Sequence, residues 1–372
     1  MVEIKPVIIL ICFLFFLDLN SILYIIKAKM KRGTFMVEYK PWAEEILTPI
    51  VEKSDEKLPI LDIQLGGACN LSCIYCDTPK YGAPCDVDLK SIERLIKEGN
   101  IEWIYVCGLG EPSASKNLPH LLQLLKMCKE NNVKLSMFSN ILNFNQTLFD
   151  YVEDGTLHVL FKLDTFDVDK AKQLYGATTE KAKKIYENLN ILSAINPVTD
   201  NKSSLGASIV PTSINQGELQ HLVDFCMKNN IFPLIGQLED AGKGSNVFQQ
   251  LEVKDDNLLQ LKNYINKEYG VDYQMPICPA TISAVHITNR NKVIVDDVTG
   301  LSCPWFWLGE PKLKELGDIR EKSYDKIVQS ILTYREEKFP QVLEIEKNLS
   351  SYPFGGCGGD AKQLLKTYTS LR

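Results

Sequence analysis

From Leu58 onward, short apolar runs alternate with longer stretches whose apolar residues recur at helical spacing. Segments 59–65, 101–107, 133–138, 157–163, 205–210 and 231–238 read as strands. Between them, Asp88 caps a helix that carries Leu89, Ile92, Leu95 and Ile96 on one face and is stopped by Gly99-Asn100. Leu118, Leu121, Leu122, Leu125 and Cys128 share the face of the next, and helices over 145–151, 179–193 and 215–229 follow. Six such units predict an α/β protein, a partial (β/α)6 TIM-like barrel open on one side, because a closed barrel needs two more strands. Beyond Gly270 the rhythm stops. Alternation over 282–295, broken by Asn289-Arg290-Asn291, predicts a β-hairpin, and the segment from Leu316 to Glu321 leads into a helix.

The pattern before Leu58 is different. Residues 7–26 are an apolar run broken by Asp18, Asn20 and Ser21, and the basic string Lys27, Lys29, Lys31 and Arg32 follows. Read literally, 1–35 is a membrane anchor or an uncleaved signal, whose positive flank keeps the rest cytoplasmic. The preferred reading is that translation begins at Met36, because codons for Lys31-Arg32-Gly33 can form a purine-rich ribosome-binding site just upstream. The expected organisation is a leader over 1–35, a barrel over 36–270 and a small hairpin-plus-helix domain over 271–372.

The chain has 372 residues, 45% hydrophobic and 24% charged, which suits a globular protein with one large and one small domain. A net charge of -6 argues against a broad phosphate-binding surface, so nucleic acid is not an expected partner. Eleven cysteines are too unevenly placed for a secreted disulfide framework. Three of them, Cys69, Cys73 and Cys76, stand at C-x3-C-x2-C within GGACNLSCIYCDT. Three soft thiolates on one short loop suit an iron–sulfur cluster or zinc; a closed structural zinc site wants a fourth ligand, so one position stays open.

At this loop the sequence resembles the radical S-adenosylmethionine (radical SAM) enzymes. The resemblance implies that Cys69, Cys73 and Cys76 bind a [4Fe-4S] cluster whose open iron chelates SAM. One-electron reduction by a flavodoxin- or ferredoxin-type donor then releases a 5'-deoxyadenosyl radical that takes a hydrogen atom from substrate. It places Tyr75 near the adenine, and Gly108-Leu109-Gly110-Glu111-Pro112, one unit later, at the amino group of SAM. Gly108 and Gly110 permit close backbone approach there, and Glu111 offers a carbonyl or carboxylate acceptor. Ser139-Asn140 resembles the Thr/Ser-Asn segment of the molybdenum-cofactor cyclase branch. Residues 161–164 resemble its Ser-Leu-Asp ribose segment, with Lys162 replacing the serine before Asp164. An ion pair or cap is the plain reading of Lys162 and Asp164, and Asn215 with Glu218 fits a capping pair.

Cys278, Cys303 and Gly355-Gly356-Cys357-Gly358-Gly359 resemble a SPASM/twitch extension, implying one auxiliary [4Fe-4S] cluster on Cys278, Cys303 and Cys357; a zinc site is the structural alternative. The chain ends KTYTSLR and lacks the paired glycines and arginine that the cyclase branch uses near its C-terminus. The expected activity is dehydrogenation or epimerisation of a small molecule, sugar-like or aminoglycoside-like. Modification of a ribosomally made peptide and a non-catalytic redox sensor are the alternatives. Cys226 falls on an apolar helix face and reads as structural, whereas Cys107, at a strand end, is the better candidate to face SAM or substrate. A cytoplasmic location follows from oxygen-sensitive cluster chemistry, with the membrane involved if 1–35 is translated.

Overall fold

The computed structural model describes residues 58–76, 84–106, 109–196, 198–199, 202–236, 238, 240, 242–270, 273, 284–297, 300 and 313–339. The leader over 1–35, Cys107, Gly108, Cys278, Cys303 and Cys357 lie outside them. All six expected β/α strands are present: β1 (Ile60–Ile63), β2 (Trp103–Val106), β3 (Lys134–Ser139), β4 (Leu157–Lys162), β5 (Leu205–Ile209) and β6 (Phe232–Ile235). They run parallel in that order. The C-terminal segment adds β7 (Ala284–Ile287), β8 (Lys292–Asp296) and β9 (Leu313–Asp318), completing a nine-stranded sheet in the order β9-β8-β7-β1-β2-β3-β4-β5-β6. β7 lies parallel to β1, and β8 and β9 return antiparallel. The hairpin expected over 282–295 therefore continues the barrel sheet on the far side of β1.

The helices form where local chemistry dictates. Helix α1 (Leu89–Gly99) is capped by the Asp88 carboxylate and ends at Asn100, which takes a left-handed conformation with φ 47°. Its Ile92, Leu95 and Ile96 are buried, roughly 1.5–3 kcal/mol each. Helices α2 (Leu118–Glu130) and α3 (Gln146–Glu153) follow β2 and β3. After β4 come two helices where the sequence pattern showed one. Helix α4 (Val168–Tyr175) is capped by Asp167 and closed by Gly176 at φ 59°, and α5 (Thr179–Ile195) is capped by Thr178. Helix α6 (Leu219–Lys228) buries Cys226 against the core, as its apolar face predicts. A short helical turn over Phe248–Leu251 and helices α7 (Asp255–Tyr269) and α8 (Tyr324–Lys338) follow. Among the described residues, no helix is long and apolar enough to cross a membrane.

The C-terminal segment is stitched to the start of the barrel. Tyr324 Oη donates to the Leu58 carbonyl at 2.8 Å and accepts from the Leu58 amide at 3.1 Å. The Tyr324 ring lies over Gly99, where an added Cβ would come within 2.6 Å. Arg94 of α1 donates to the carbonyl of Lys322 at 2.9 Å. In the β7–β8 turn, Asn291 accepts from the Asp88 amide at 2.6 Å and donates to the Asp86 carbonyl at 2.8 Å.

Candidate active site

The cysteine loop leaves the C-terminal end of β1, where parallel barrels carry their chemistry. Cys69 is exposed, Cys73 and Cys76 are half-buried, and none of the three is in a disulfide. Burial pushes the Cys73 thiol up to about 12, against the pull of the Lys162 ammonium.

One side of the loop is fastened by the segment after β2. The Glu111 amide donates to the Ala68 carbonyl at 2.8 Å. Asn117 Nδ2 reaches the carbonyls of Gly66 at 2.9 Å, Ala68 at 3.4 Å and Glu111 at 2.9 Å. Gly110, at φ 61°, fits so closely that a Cβ would stand 2.4 Å from the Ala68 oxygen. The buried Glu111 carboxylate accepts from Ser113 N at 3.0 Å, Ser113 Oγ at 2.7 Å, Ser139 Oγ at 2.6 Å and Asn140 N at 2.7 Å. Burial still raises its pKa above the ordinary carboxylate value. Glu111 is thus engaged in joining the β2 and β3 tips, with its carboxylate satisfied inside the protein. Asn140 Nδ2 continues the chain of contacts to Asn70 Oδ1 at 2.7 Å. The next residue, Ile141, is β-branched yet held at φ 53°, a strained conformation of the kind that collects at functional sites.

The other side rests on β4 and α4. The Ser72 amide donates to the Tyr175 carbonyl at 2.9 Å and the Ile74 amide to that of Leu174 at 3.0 Å. Lys181 Nζ reaches the Asn70 carbonyl at 2.7 Å, and the Lys243 amide that of Cys76 at 2.9 Å. Tyr75 is buried, and its hydroxyl donates to Asp164. Burial and then the Asp164 carboxylate hold that phenol well above its ordinary pKa. Lys162 Nζ stands 3.3 Å from Asp164 Oδ2 and 4.5 Å from the centre of the Tyr75 ring. Burial works most strongly against the ammonium, but the Asp164 carboxylate together with the neighbouring Cys73 and Cys76 outweighs it and the Lys162 pKa is raised. Asp164 also accepts from the Val210 amide at 2.7 Å.

The structure thus gathers Tyr75, Gly110, Glu111, Ser139, Asn140, Lys162 and Asp164 around the cysteine loop. Asn215 and Glu218 behave differently from the capping pair they suggested. Asn215 Nδ2 bridges the carbonyls of Asp164 at 2.8 Å and Val210 at 3.0 Å. Glu218 accepts from Thr165 Oγ1 at 2.8 Å and pairs with Lys170. Asn117, Tyr175, Lys181 and Lys243 escaped the sequence reading. Each acts on loop backbone from a distant segment, which leaves no local spacing to recognise.

These residues fit a four-iron cluster. Three thiols spaced along one short loop are the donor set that such a cluster takes. Asn70 Nδ2, beside Cys69, is buried with no hydrogen-bond partner, and Gly110 lets the segment after β2 close directly onto the loop backbone.

Below the loop, one sheet face carries a polar row. His286, Asp62, Tyr105, Ser136 and His158 stand in register across β7, β1, β2, β3 and β4. Lys162, four residues beyond His158, shares that face of β4 and reaches Tyr75, so this is the face the loop covers. His286 Nδ1 meets Asp62 Oδ2 at 2.7 Å with both side chains fully buried, and His286 Nε2 has no hydrogen-bond partner. Burial, with Lys134 adding to it, pushes His158 down to about 3, so it is neutral. Tyr105, Ser136, His158 and Ser204 line a crevice there.

Comparison with known proteins agrees with this geometry. Residues 63–224 match the family described as Radical SAM superfamily. A probable GTP 3',8-cyclase of Methanococcus aeolicus is 25% identical over 185 residues, 48% of this chain and 58% of that protein. A GTP 3',8-cyclase of Clostridium botulinum is 21% identical over 220 residues, 56% of this chain and 66% of that protein. The chain thus spans less than two thirds of the length of these curated relatives. Among solved structures, Streptococcus suis SuiB bound to its precursor peptide SuiA aligns with a TM-score of 0.51 and 15% identity, over 77% of this chain and 68% of that one. The enzyme anSMEcpe, with bound AdoMet and a peptide, aligns with a TM-score of 0.51 and 14% identity, over 78% of this chain and 99% of that one. At such identities the two structures attest the shared fold.

Proposed function

Residues 63–224 are a radical SAM domain, and from that premise we propose that this radical SAM enzyme dehydrogenates or epimerises a hydroxyl-bearing small molecule, sugar-like or aminoglycoside-like. In this reading Cys69, Cys73 and Cys76 hold the [4Fe-4S] cluster, and Tyr75, Gly108, Gly110, Ser139, Asn140, Lys162 and Asp164 surround SAM. When bound and reduced, that pair of cofactors supplies a 5'-deoxyadenosyl radical able to take a hydrogen atom from carbon. The protein's part is to hold the loop rigid, bury the site from water and present a substrate carbon from below. Cys107 is assigned to the rim facing SAM or substrate, and Cys278, Cys303 and Cys357 to an auxiliary cluster. A flavodoxin- or ferredoxin-type protein is the proposed electron donor.

The observation that carries the substrate class is the row beneath the loop. Tyr105, Ser136 and the neutral His158, with the Asp62–His286 pair beside them, are buried hydrogen-bonding groups of the kind that suits hydroxyls, Ser136 Oγ already accepting from Trp103 Nε1 at 2.8 Å. The lysines on β1 to β7 are Lys134 and Lys162, and those strands carry no arginine. Lys134 lies 5.2 Å over the Trp103 ring and Lys162 is paired with Asp164. That is a poor match to a triphosphate. Cyclisation of a nucleotide is the second reading, favoured by the names of the curated relatives.

The test is to reconstitute the protein anaerobically, reduce it, and incubate it with SAM and either paromamine, GTP or a cysteine-containing peptide. Expected are 5'-deoxyadenosine and, with the sugar, a product either two hydrogens lighter or epimerised. Conversion of GTP or the peptide instead would reassign the substrate. Cys73→Ala forming 5'-deoxyadenosine at the wild-type rate would remove the reading altogether.

A further inference from the structure

Lys162 and Asp164 form a charged pair whose setting goes beyond holding β4 in place. The Asp164 side chain is fully buried and Lys162 keeps about a fifth of its surface. The lysine Nζ lies 4.5 Å over the ring of Tyr75, which stands between Cys73 and Cys76, and 5.9 Å over that of Tyr175. Tyr75 in turn donates to Asp164. Two opposite charges are thus fixed against one side of the cysteine loop, in a low-dielectric place where each acts strongly.

We propose that Lys162 and Asp164 push the reduction potential of the cluster held by Cys69, Cys73 and Cys76 in opposite directions, in near balance. The inference rests on the cluster assignment above. Reduction places one more negative charge among the three thiolates, the electron coming from an external one-electron donor. The Lys162 ammonium stabilises that charge and the Asp164 carboxylate opposes it. Together they hold the potential at an intermediate value that neither would give alone. The Val210 amide and the Asn215 strap fix Asp164 on β4, so its charge cannot swing away when the cluster changes state.

The experiment is a potentiometric titration of the full reconstituted chain with dithionite and low-potential mediators, followed by electron paramagnetic resonance. The signal that alters on adding SAM marks this cluster. Lys162→Met should lower its midpoint potential, because a buried carboxylate is left facing the thiolates. Asp164→Asn should raise it, and the double variant should return close to wild type. Lys162→Arg keeps the charge and should keep the potential. Equal iron content and circular dichroism exclude a folding defect, and if Lys162→Met loses iron, Asp164→Asn alone still tests the sign. Shifts of the two single variants in the same direction, or no shift in either, would overturn the proposal while leaving the cluster assignment standing. Absence of any SAM-sensitive signal in the wild type would overturn both.

Discussion

The two sides of the cysteine loop rest on two buried carboxylates that are satisfied in different ways. Glu111 takes four hydrogen bonds, all from the uncharged donors of Ser113, Ser139 and Asn140. Asp164 takes its contacts from Tyr75, Val210 and the Lys162 ammonium. Glu111 therefore works as a fixed bracket between strand tips, whereas Asp164 belongs to a charge arrangement that any change in the cluster's charge must feel. Rigidity sits on the β2–β3 side and electrostatic coupling on the β4 side.

The strongest way to break this division is Gly110→Ala. Its Cβ would meet the Ala68 oxygen at 2.4 Å and the Gly67 carbonyl carbon at 2.7 Å, at a φ of 61° that disfavours any side chain. The loop must move off its bracket. Iron per chain after reconstitution is expected to fall to a small fraction of wild type while circular dichroism keeps the barrel; full iron retention would show that the bracket is dispensable.

Next in size is Glu111→Ala, which leaves four buried donors facing a void and should cost about 3–5 kcal/mol in urea unfolding. A loss under about 1 kcal/mol would mean that water replaces the carboxylate at no cost.

A paired comparison sharpens the picture. Asn117→Ala and Asn215→Ala each remove a buried amide strap, and each should cost about 1–3 kcal/mol. Asn117 holds loop carbonyls and Asn215 holds β4 and β5, so iron retention should fall in the first variant and stay intact in the second. Equal iron loss in both would erase the distinction between the two sides.

The smallest effect is on pH dependence. Burial raises the folded pKa of Glu111, so the folded state binds its proton more tightly than the unfolded chain does. That contribution to stability is fully present below the ordinary glutamate value of 4.5 and is lost as pH rises through the raised folded value. Glu111→Gln should therefore flatten the part of the stability profile just above pH 4.5, seen by thermal melts against pH; an unchanged profile would mean that Glu111 folds already ionised.

Strands β1 to β6 were legible because each is a short apolar run between turn residues, and α1 because Asp88 and Gly99-Asn100 punctuate it. Strand β9 was not, since most of its residues are exposed or half-buried and LKELGD shows no apolar alternation. Helix α4 was missed although Asp167 and Gly176 mark its ends, because eight residues with few apolar positions carry little periodic signal. The cysteine loop and its neighbours Gly110, Glu111, Ser139, Asn140, Lys162 and Asp164 were legible as a set. What the Glu111 carboxylate does there was not: the sequence suggested a carbonyl or carboxylate acceptor for a ligand, and the fold turns the carboxylate onto nearby Ser113 and onto Ser139 and Asn140 at the tip of β3. Asp62 lay unremarked inside an apolar run, since its partner His286 is far along the chain.

That separation bears on how the protein is made. Strand β1, which launches the cysteine loop, is flanked on one side by β2 and on the other by β7, and the Asp62–His286 contact spans 224 positions. Until residue 287 has left the ribosome, β1 is an unprotected edge whose buried carboxylate has no imidazole beside it. The cysteine loop thus acquires its finished foundation late in synthesis, and a nascent chain cut short before β7 would present three thiols on a strand that is still open to pairing with another molecule.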